Sequence, residues 1–338
     1  MKKNKLPKIN YIWNKEKLTE WIISYFPKDS KSIFDAFSWW TSISYESKKI
    51  WLKVISNDVL KVNYHLAHAF IENKDNILTE KDVEIILSWE PIKWFMYKNY
   101  SNKFFFPDEC MELDLYRKNI TKLKTKSKQS LAIALLRRSM IRKMPYSRFT
   151  IKWDKVVQLR DEDYSYKKYK RRRSYHNKSF KYHFLDNLNN YNDTVFDNWQ
   201  NNKAYNENIF DILGKIKADI VYLDPPYTWT MNNYFWFYWI IDEYIDNKKI
   251  KPFDCDFTKK DEALILFDKL FSKLNNFKYW FLSYNNSSYP SKEQLIEIIS
   301  KYSDDIKIIE KKHNYKITWK EKKEANNEYL FIIKNNKY

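Results

Sequence analysis

Gly214 is the sole glycine in a chain of 338 residues, where an average composition supplies about two dozen. Glycine enters left-handed backbone without steric cost. Tight turns and helix ends in this chain must therefore be built largely from residues that carry a Cβ. The same chain holds 14 tryptophans. One of them, Trp51, falls between a helical pattern and a strand pattern, where a helix end calls for glycine. Abundant Lys, Asn, Ile, Tyr and Phe are what an AT-rich gene encodes.

The length allows two domains at roughly 150 residues each. Hydrophobic residues at 44% with charged residues at 31% describe globular material. Lys and Arg number 61 against 43 Asp and Glu, a net charge of +18, which favours a polyanionic partner without constraining the fold. Cys110 and Cys255 are too far apart for a Cys-x-x-Cys site, and a disulfide scaffold is excluded. His65, His68, His176, His183 and His313 lack metal-ligand spacing, so no metal is expected. The basic start is not followed by an apolar core of a signal peptide. The longest apolar run, 234–241, is far short of the ~20 residues that span a bilayer. The expectation is a soluble, cytoplasmic protein with no membrane partner.

Helix and strand patterns alternate at the two ends of the chain. The spacing of Leu18, Trp21, Ile22 and Tyr25 predicts a helix over 15–26. Strands are expected at 32–37 and 52–56, with helices over 42–49 and 60–71. Strand, helix, strand at this spacing makes a parallel pair. The rhythm returns after residue 204, with strands at 218–223, 278–284, 306–310 and 329–334 and helices over 261–274 and 291–302. Ser291 with Gln294 three positions on has capping-box spacing. Between these parts the chain is rich in Lys, Arg, Tyr and Asn, and its clear amphipathic helix is 130–143. The run at 167–178 concentrates cations with Tyr169 and Tyr175 between them. One α/β domain, 1–74 with 204–338, is thus interrupted by a basic insertion, 75–203.

The chemistry is concentrated in Asp224-Pro225-Pro226-Tyr227, directly after a strand. Ligands of open α/β sheets bind beyond the C-terminal ends of strands. Asp224 and Pro225 each precede a proline and are pushed to extended backbone, and neither proline has an N–H to donate. The loop presents a carboxylate, carbonyl oxygens and an aromatic ring. That set suits a planar exocyclic amine, with Asp224 and the Pro225 carbonyl accepting its two hydrogens and Tyr227 stacking on the heterocycle. Two acceptors out of the ring plane favour a pyramidal nitrogen and free its lone pair for attack, a catalytic effect of positioning and electrostatics. A Pro-Pro pair after a strand can also be no more than a rigid turn.

With these residues the chain resembles the Dam-like, alpha-group DNA adenine-N6 methyltransferases over nearly its whole length. The segment Asn10-Tyr11-Ile12-Trp13-Asn14-Lys15 is similar to the one that helps hold S-adenosylmethionine in that family, with Tyr11 and Lys15 at its contacting positions. Phe34-Asp35-Ala36-Phe37-Ser38-Trp39-Trp40-Thr41-Ser42 is similar to the family's glycine-rich first loop. Asp58 matches the acid that binds the donor's ribose, and Asn208 falls where an acid near its adenine is usual. The resemblance implies a fold of α/β class, a Rossmann-like class I methyltransferase sheet with a basic, mainly helical target-recognition insertion. It assigns catalysis to Asp224, Pro225, Pro226 and Tyr227. It assigns S-adenosylmethionine binding to Tyr11, Asn14, Lys15, Phe37, Ser38, Trp39, Asp58 and Asn208. Double-stranded DNA is the implied partner, with a flipped adenine and a cognate restriction endonuclease in a restriction-modification system. Lys168, Lys170, Arg171, Arg172 and Arg173 are candidates for DNA contact, although a charge run of this kind also serves as a solvated face.

The resemblance sharpens the tryptophan anomaly. Trp13, Trp39, Trp40, Trp229, Trp236 and Trp319 stand where this family has glycine. A codon read as glycine by the source, such as UGA, and translated here as tryptophan accounts for both the missing glycines and the extra indoles. Other readings stay open on the sequence. One is a cytosine-N4 methyltransferase, in which Ser more often replaces Asp224. Another is an RNA or protein-glutamine methyltransferase. The last is a DNA-binding remnant whose cofactor loop is blocked by genuine tryptophans.

Overall fold

The computed structural model describes the chain apart from residues 1–4, 8–15, 89, 91, 148, 171–173, 227, 229–233, 252–256, 313–326 and 337–338, and apart from the side chains of 16, 17, 174 and 234–237. It divides into two compact units. One comprises Met1–Asn10, His68–Phe196 and Phe235–Pro252, the other Tyr11–Ala67, Asp197–Tyr234 and Phe253–Tyr338.

The second unit is built on a sheet of seven strands: β1 (Ser32–Asp35), β2 (Lys53–Asn57), β3 (Lys203–Tyr205), β4 (Ala218–Leu223), β5 (Phe277–Asn285), β6 (Ile306–Lys312) and β7 (Asn327–Lys334). Their order is β3-β2-β1-β4-β5-β7-β6. The first five run parallel, and β7 lies antiparallel between β5 and β6. The apolar runs of β1 and β4 suit strands covered on both faces, and Ile33, Phe34, Ile220 and Val221 are fully buried. Phe34 stacks on Phe277, and Trp280 of β5 stacks on Phe271. Asp219 pins the register at the start of β4. Its carboxylate accepts from the N–H groups of Lys31 and Ser32 and from the Ser32 hydroxyl, at 2.7–2.9 Å. Ser291 and Gln294 form the expected capping box, opening the helix Lys292–Ile299.

The first unit is helical among its described residues. Its longest helix, Lys126–Lys143, is covered almost all round from Ser130 to Ile141. This corrects the amphipathic reading of 130–143. Arg137, Arg138 and Lys143 near its end turn inward, at 1%, 7% and 2% exposed. Lys143 pairs with Glu109 at 2.7 Å. Arg160 grips both oxygens of the same carboxylate, at 2.9 and 2.6 Å. Burial alone would raise the Glu109 carboxyl, but hydrogen bonds from Arg160 and the charge of Lys143 outweigh it and hold the group below its ordinary value. The helices Glu80–Leu87, Phe95–Tyr100, Pro107–Ile120, Trp153–Arg160, Glu162–Tyr169, Phe180–Asn192 and Tyr234–Asp246 complete the set of longer ones among the described residues. Asp114 accepts from the N–H groups of Trp94, Met96 and Tyr97, which ties the start of Phe95–Tyr100 to Pro107–Ile120.

Candidate active site

Strand order reverses at β1, which pairs with β2 on one side and β4 on the other. Connections leave the C-terminal ends of neighbouring parallel strands in opposite directions there, and a crevice opens between them. Asp35 lies beside Tyr222 in the register. The segment following β1 and the Asp224-Pro225-Pro226 segment following β4 therefore start side by side. Asp224 and Pro226 are half-buried and Pro225 is buried. Tyr227 lies outside the described residues, as do Tyr11, Asn14 and Lys15.

Three backbone N–H groups staple the loop after β1 across its neighbours. Ala36 N–H donates to the Tyr222 carbonyl at 3.0 Å, Ser38 N–H to the Asn57 carbonyl at 2.9 Å, and Trp39 N–H to the Asp58 carboxylate at 2.9 Å. Trp39 is half-buried, and its indole Nε1 donates to the Asp224 carbonyl at 2.6 Å. Phe37 meets Phe257 edge to face at 5.7 Å, and Phe257 stacks on Phe210 at 6.1 Å. Thr228 ties the chain beyond the proline pair to this wall by donating to the Phe257 carbonyl. Phe210 and Phe257 are not marked by the sequence, since a lone phenylalanine in a one-turn helix or in a turn carries no signal of its own.

Asp58 is 6% exposed. Besides Trp39, the N–H of Leu60 donates to it at 2.9 Å. Burial pushes its carboxyl up to about 7 against the pull of those donors. Asp35, also buried, is pushed up to about 7, by burial first and then by the charges of Asp224 and Asp58, with the Ser44 hydroxyl opposing. Asp35 Oδ2 accepts from Ser44, and Oδ1 has no hydrogen-bond partner among the described residues. Asn57 exchanges two amide bonds with the backbone of Glu207, and Asn206 donates to the carbonyls of Asp58 and Val59. The loop after β3 is held against the end of β2 by these asparagines. Asn208 has a different task from the one expected, because its side chain accepts from Phe210 N–H and caps the short helix Ile209–Ile212.

Three carboxylates, Asp35, Asp58 and Asp224, thus gather at one end of the sheet, and two of them are held near neutrality by lack of solvent. Such a cluster favours a cationic ligand. A sulfonium donor that also carries an ammonium group fits that demand and the aromatic wall around Phe37. The fit fails at position 39, where the indole takes up the Asp224 carbonyl.

Lys168 and Lys170 are exposed in the helical unit, on and just after the helix Glu162–Tyr169. The Lys168 ammonium donates to the Tyr164 hydroxyl at 3.0 Å. Arg171, Arg172 and Arg173 lie outside the described residues.

A parallel sheet with one antiparallel strand inserted next to its edge strand, and an acidic Asp-Pro-Pro corner at its switch point, define a class I methyltransferase. The chain belongs to the D12 class N6 adenine-specific DNA methyltransferases, whose family model matches residues 11–317. It is 54% identical over 335 residues to the Type II methyltransferase M2.HphI of Haemophilus parahaemolyticus, covering 99% of this chain and 100% of that one. It is 35% identical over 123 residues to the modification methylase StsI of Streptococcus sanguinis, covering 33% of this chain and 18% of that one. The methyl donor of the family is S-adenosylmethionine and its substrate is adenine in DNA. Adenine, not cytosine, is therefore the base this family methylates. Among the described residues no helix is long and apolar enough to cross a membrane.

Proposed function

We propose that this chain methylates the N6 amine of adenine at one short DNA sequence, as the modification partner of a cognate restriction endonuclease in the cytoplasm. The observation that carries the reading is the departure of Asp224-Pro225-Pro226 from β4 at the switch point, directly beside the loop after β1. Asp224 and the Pro225 carbonyl accept the two amine hydrogens. The base is then oriented by Tyr227, and the nitrogen lone pair is turned out of conjugation. Acceptance by two fixed oxygens also stabilises positive charge developing on nitrogen. Phe37, Ser38, position 39 and Asp58, with Tyr11, Asn14 and Lys15, hold the donor, which supplies an electrophilic methyl group when bound. Asn208 belongs to that set only through its amide nitrogen, its oxygen being committed to the helix cap.

Residues 75–203 are proposed to read the target, with Lys168, Lys170, Arg171, Arg172 and Arg173 on phosphates. Phosphate contacts position the duplex, and base-edge contacts choose the site. DNA from cells that make this protein is expected to carry N6-methyladenine at one recurrent short motif that is unmodified in cells lacking it. Digestion to nucleosides and modification-sensitive sequencing read both points. Finding N4-methylcytosine in its place would remove the base assignment, and scattered modification would remove the site specificity.

A further inference from the structure

Nine residues other than glycine have positive φ among those described, and three of them are tryptophans: Trp39 at 44°, Trp51 at 69° and Trp199 at 58°. Gly214, the one residue made for that region, is not there. Left-handed backbone brings Cβ against the following carbonyl, and bulky residues are rare in it.

Each position has the construction of a glycine site. The helix Ser42–Lys49 ends with Trp51 N–H donating to the Lys48 carbonyl at 3.1 Å and Leu52 N–H to the Ser47 carbonyl at 3.2 Å. This is the paired bonding of a Schellman end, with Trp51 at its left-handed position. Trp199 sits in a loop where its N–H donates to the Asp197 carboxylate at 2.8 Å. The two indoles are 59% and 79% exposed. Neither makes a ring contact or hydrogen bond among the described residues. Trp39 is the opposite case, because its indole is inserted against the Asp224 carbonyl. Tryptophans the fold uses look different. Trp280 is fully buried in a strand and stacks on Phe271, and Trp153 meets Phe106 edge to face.

We infer that positions 39, 51 and 199 are glycine in the working protein, from codons that the source cell reads as glycine and that are written here as tryptophan. Trp39 as written is a plug on the catalytic corner, and glycine there opens it to the methyl donor. An exposed docking face made of Ile50, Trp51 and Trp199 would need indoles, but it would not need left-handed backbone beneath two of them. The assignments at 51 and 199 rest on backbone alone. The one at 39 also rests on the methyl-transfer reading.

Peptide mass mapping of the protein purified from its source cells tests all three. The tryptic peptides containing 39, 51 and 199 are expected to be lighter than written, with glycine at those positions in fragment spectra, while the peptide containing Trp280 matches the written mass. Tryptophan at 51 or 199 overturns the backbone argument, whether or not the protein transfers methyl groups. Tryptophan at 39 overturns the plug. Titration calorimetry with S-adenosylmethionine on the chain as written and on Trp39→Gly gives a second readout. The variant is expected to bind about tenfold tighter or more, and equal affinity also overturns the plug.

Discussion

Asp224 and Asp35 stand at the ends of adjacent strands, yet substitution should affect them in opposite ways. Asp224→Ala removes one of the two acceptors for the amine. Its methylation rate is expected to fall by about 10²–10³ or more, while gel-shift retention of duplex DNA stays near that of the parent. An unchanged rate would dismiss the proposed role. Asp35 is a cost to folding at neutral pH. Its folded carboxyl lies near 7 against an ordinary value of 3.8, so the folded state holds a proton that the unfolded chain has released. Stability therefore falls as pH rises from about 4 to about 7. Asp58 titrates over the same window in the same direction. Asp35→Asn keeps an acceptor for Ser44 and removes the charge. It is expected to raise stability at pH 8 by roughly 1–3 kcal/mol and to flatten, without abolishing, the dependence between pH 4 and 7. Urea unfolding at pH 5 and pH 8 separates this from a purely structural effect, which would shift both values equally.

Among elements, the buried charge cluster joining the helices Pro107–Ile120, Lys126–Lys143 and Trp153–Arg160 has the clearest energetic consequence. Glu109→Ala would leave Lys143 and Arg160, 2% and 5% exposed, without their shared counter-ion. Stranding buried charges costs about 3–5 kcal/mol, and a correspondingly large drop in denaturant midpoint is expected. A change of surface-pair size, below about 1 kcal/mol, would contradict the cluster's burial. None of this was legible in the sequence, because Glu109 and Arg160 are far apart and a helix covered on all sides has no polar face to reveal its period. The parallel core was legible for the converse reason. β1, β4 and β5 are apolar runs long enough to be recognised alone, and Ser291 with Gln294 marks a helix start by spacing. β3 is three residues, Lys203–Tyr205, and acquires its identity only by pairing with β2. The Asp-Pro-Pro corner was readable because its chemistry is contiguous. Asp35 acquires its significance through register, which places it next to Tyr222 and hence near Asp224. Trp199 shows its conflict only in φ.

At the scale of the whole molecule the net charge of +18 makes DNA affinity a function of salt. Each neutralised phosphate releases condensed counterions, so log affinity falls linearly with log salt. For about 6–10 contacts the loss between 50 and 200 mM salt is about 10³–10⁵. Lys168 and Lys170 are exposed, and the proposal places them on phosphates, where their contribution carries no sequence information. Lys168→Gln with Lys170→Gln is therefore expected to reduce the salt slope by about 2, near one unit per lysine. The loss should be uniform across target and non-target duplexes. Methylation at saturating DNA should be unchanged, since neither lysine belongs to the acidic corner. Fluorescence anisotropy across a salt series reads the slope, and single-turnover methylation reads the chemistry. A slope identical to the parent's would return both lysines to an ordinary solvated face. A reduced slope with lost preference for one motif would make them readers of bases, because only contacts to base edges distinguish one duplex from another.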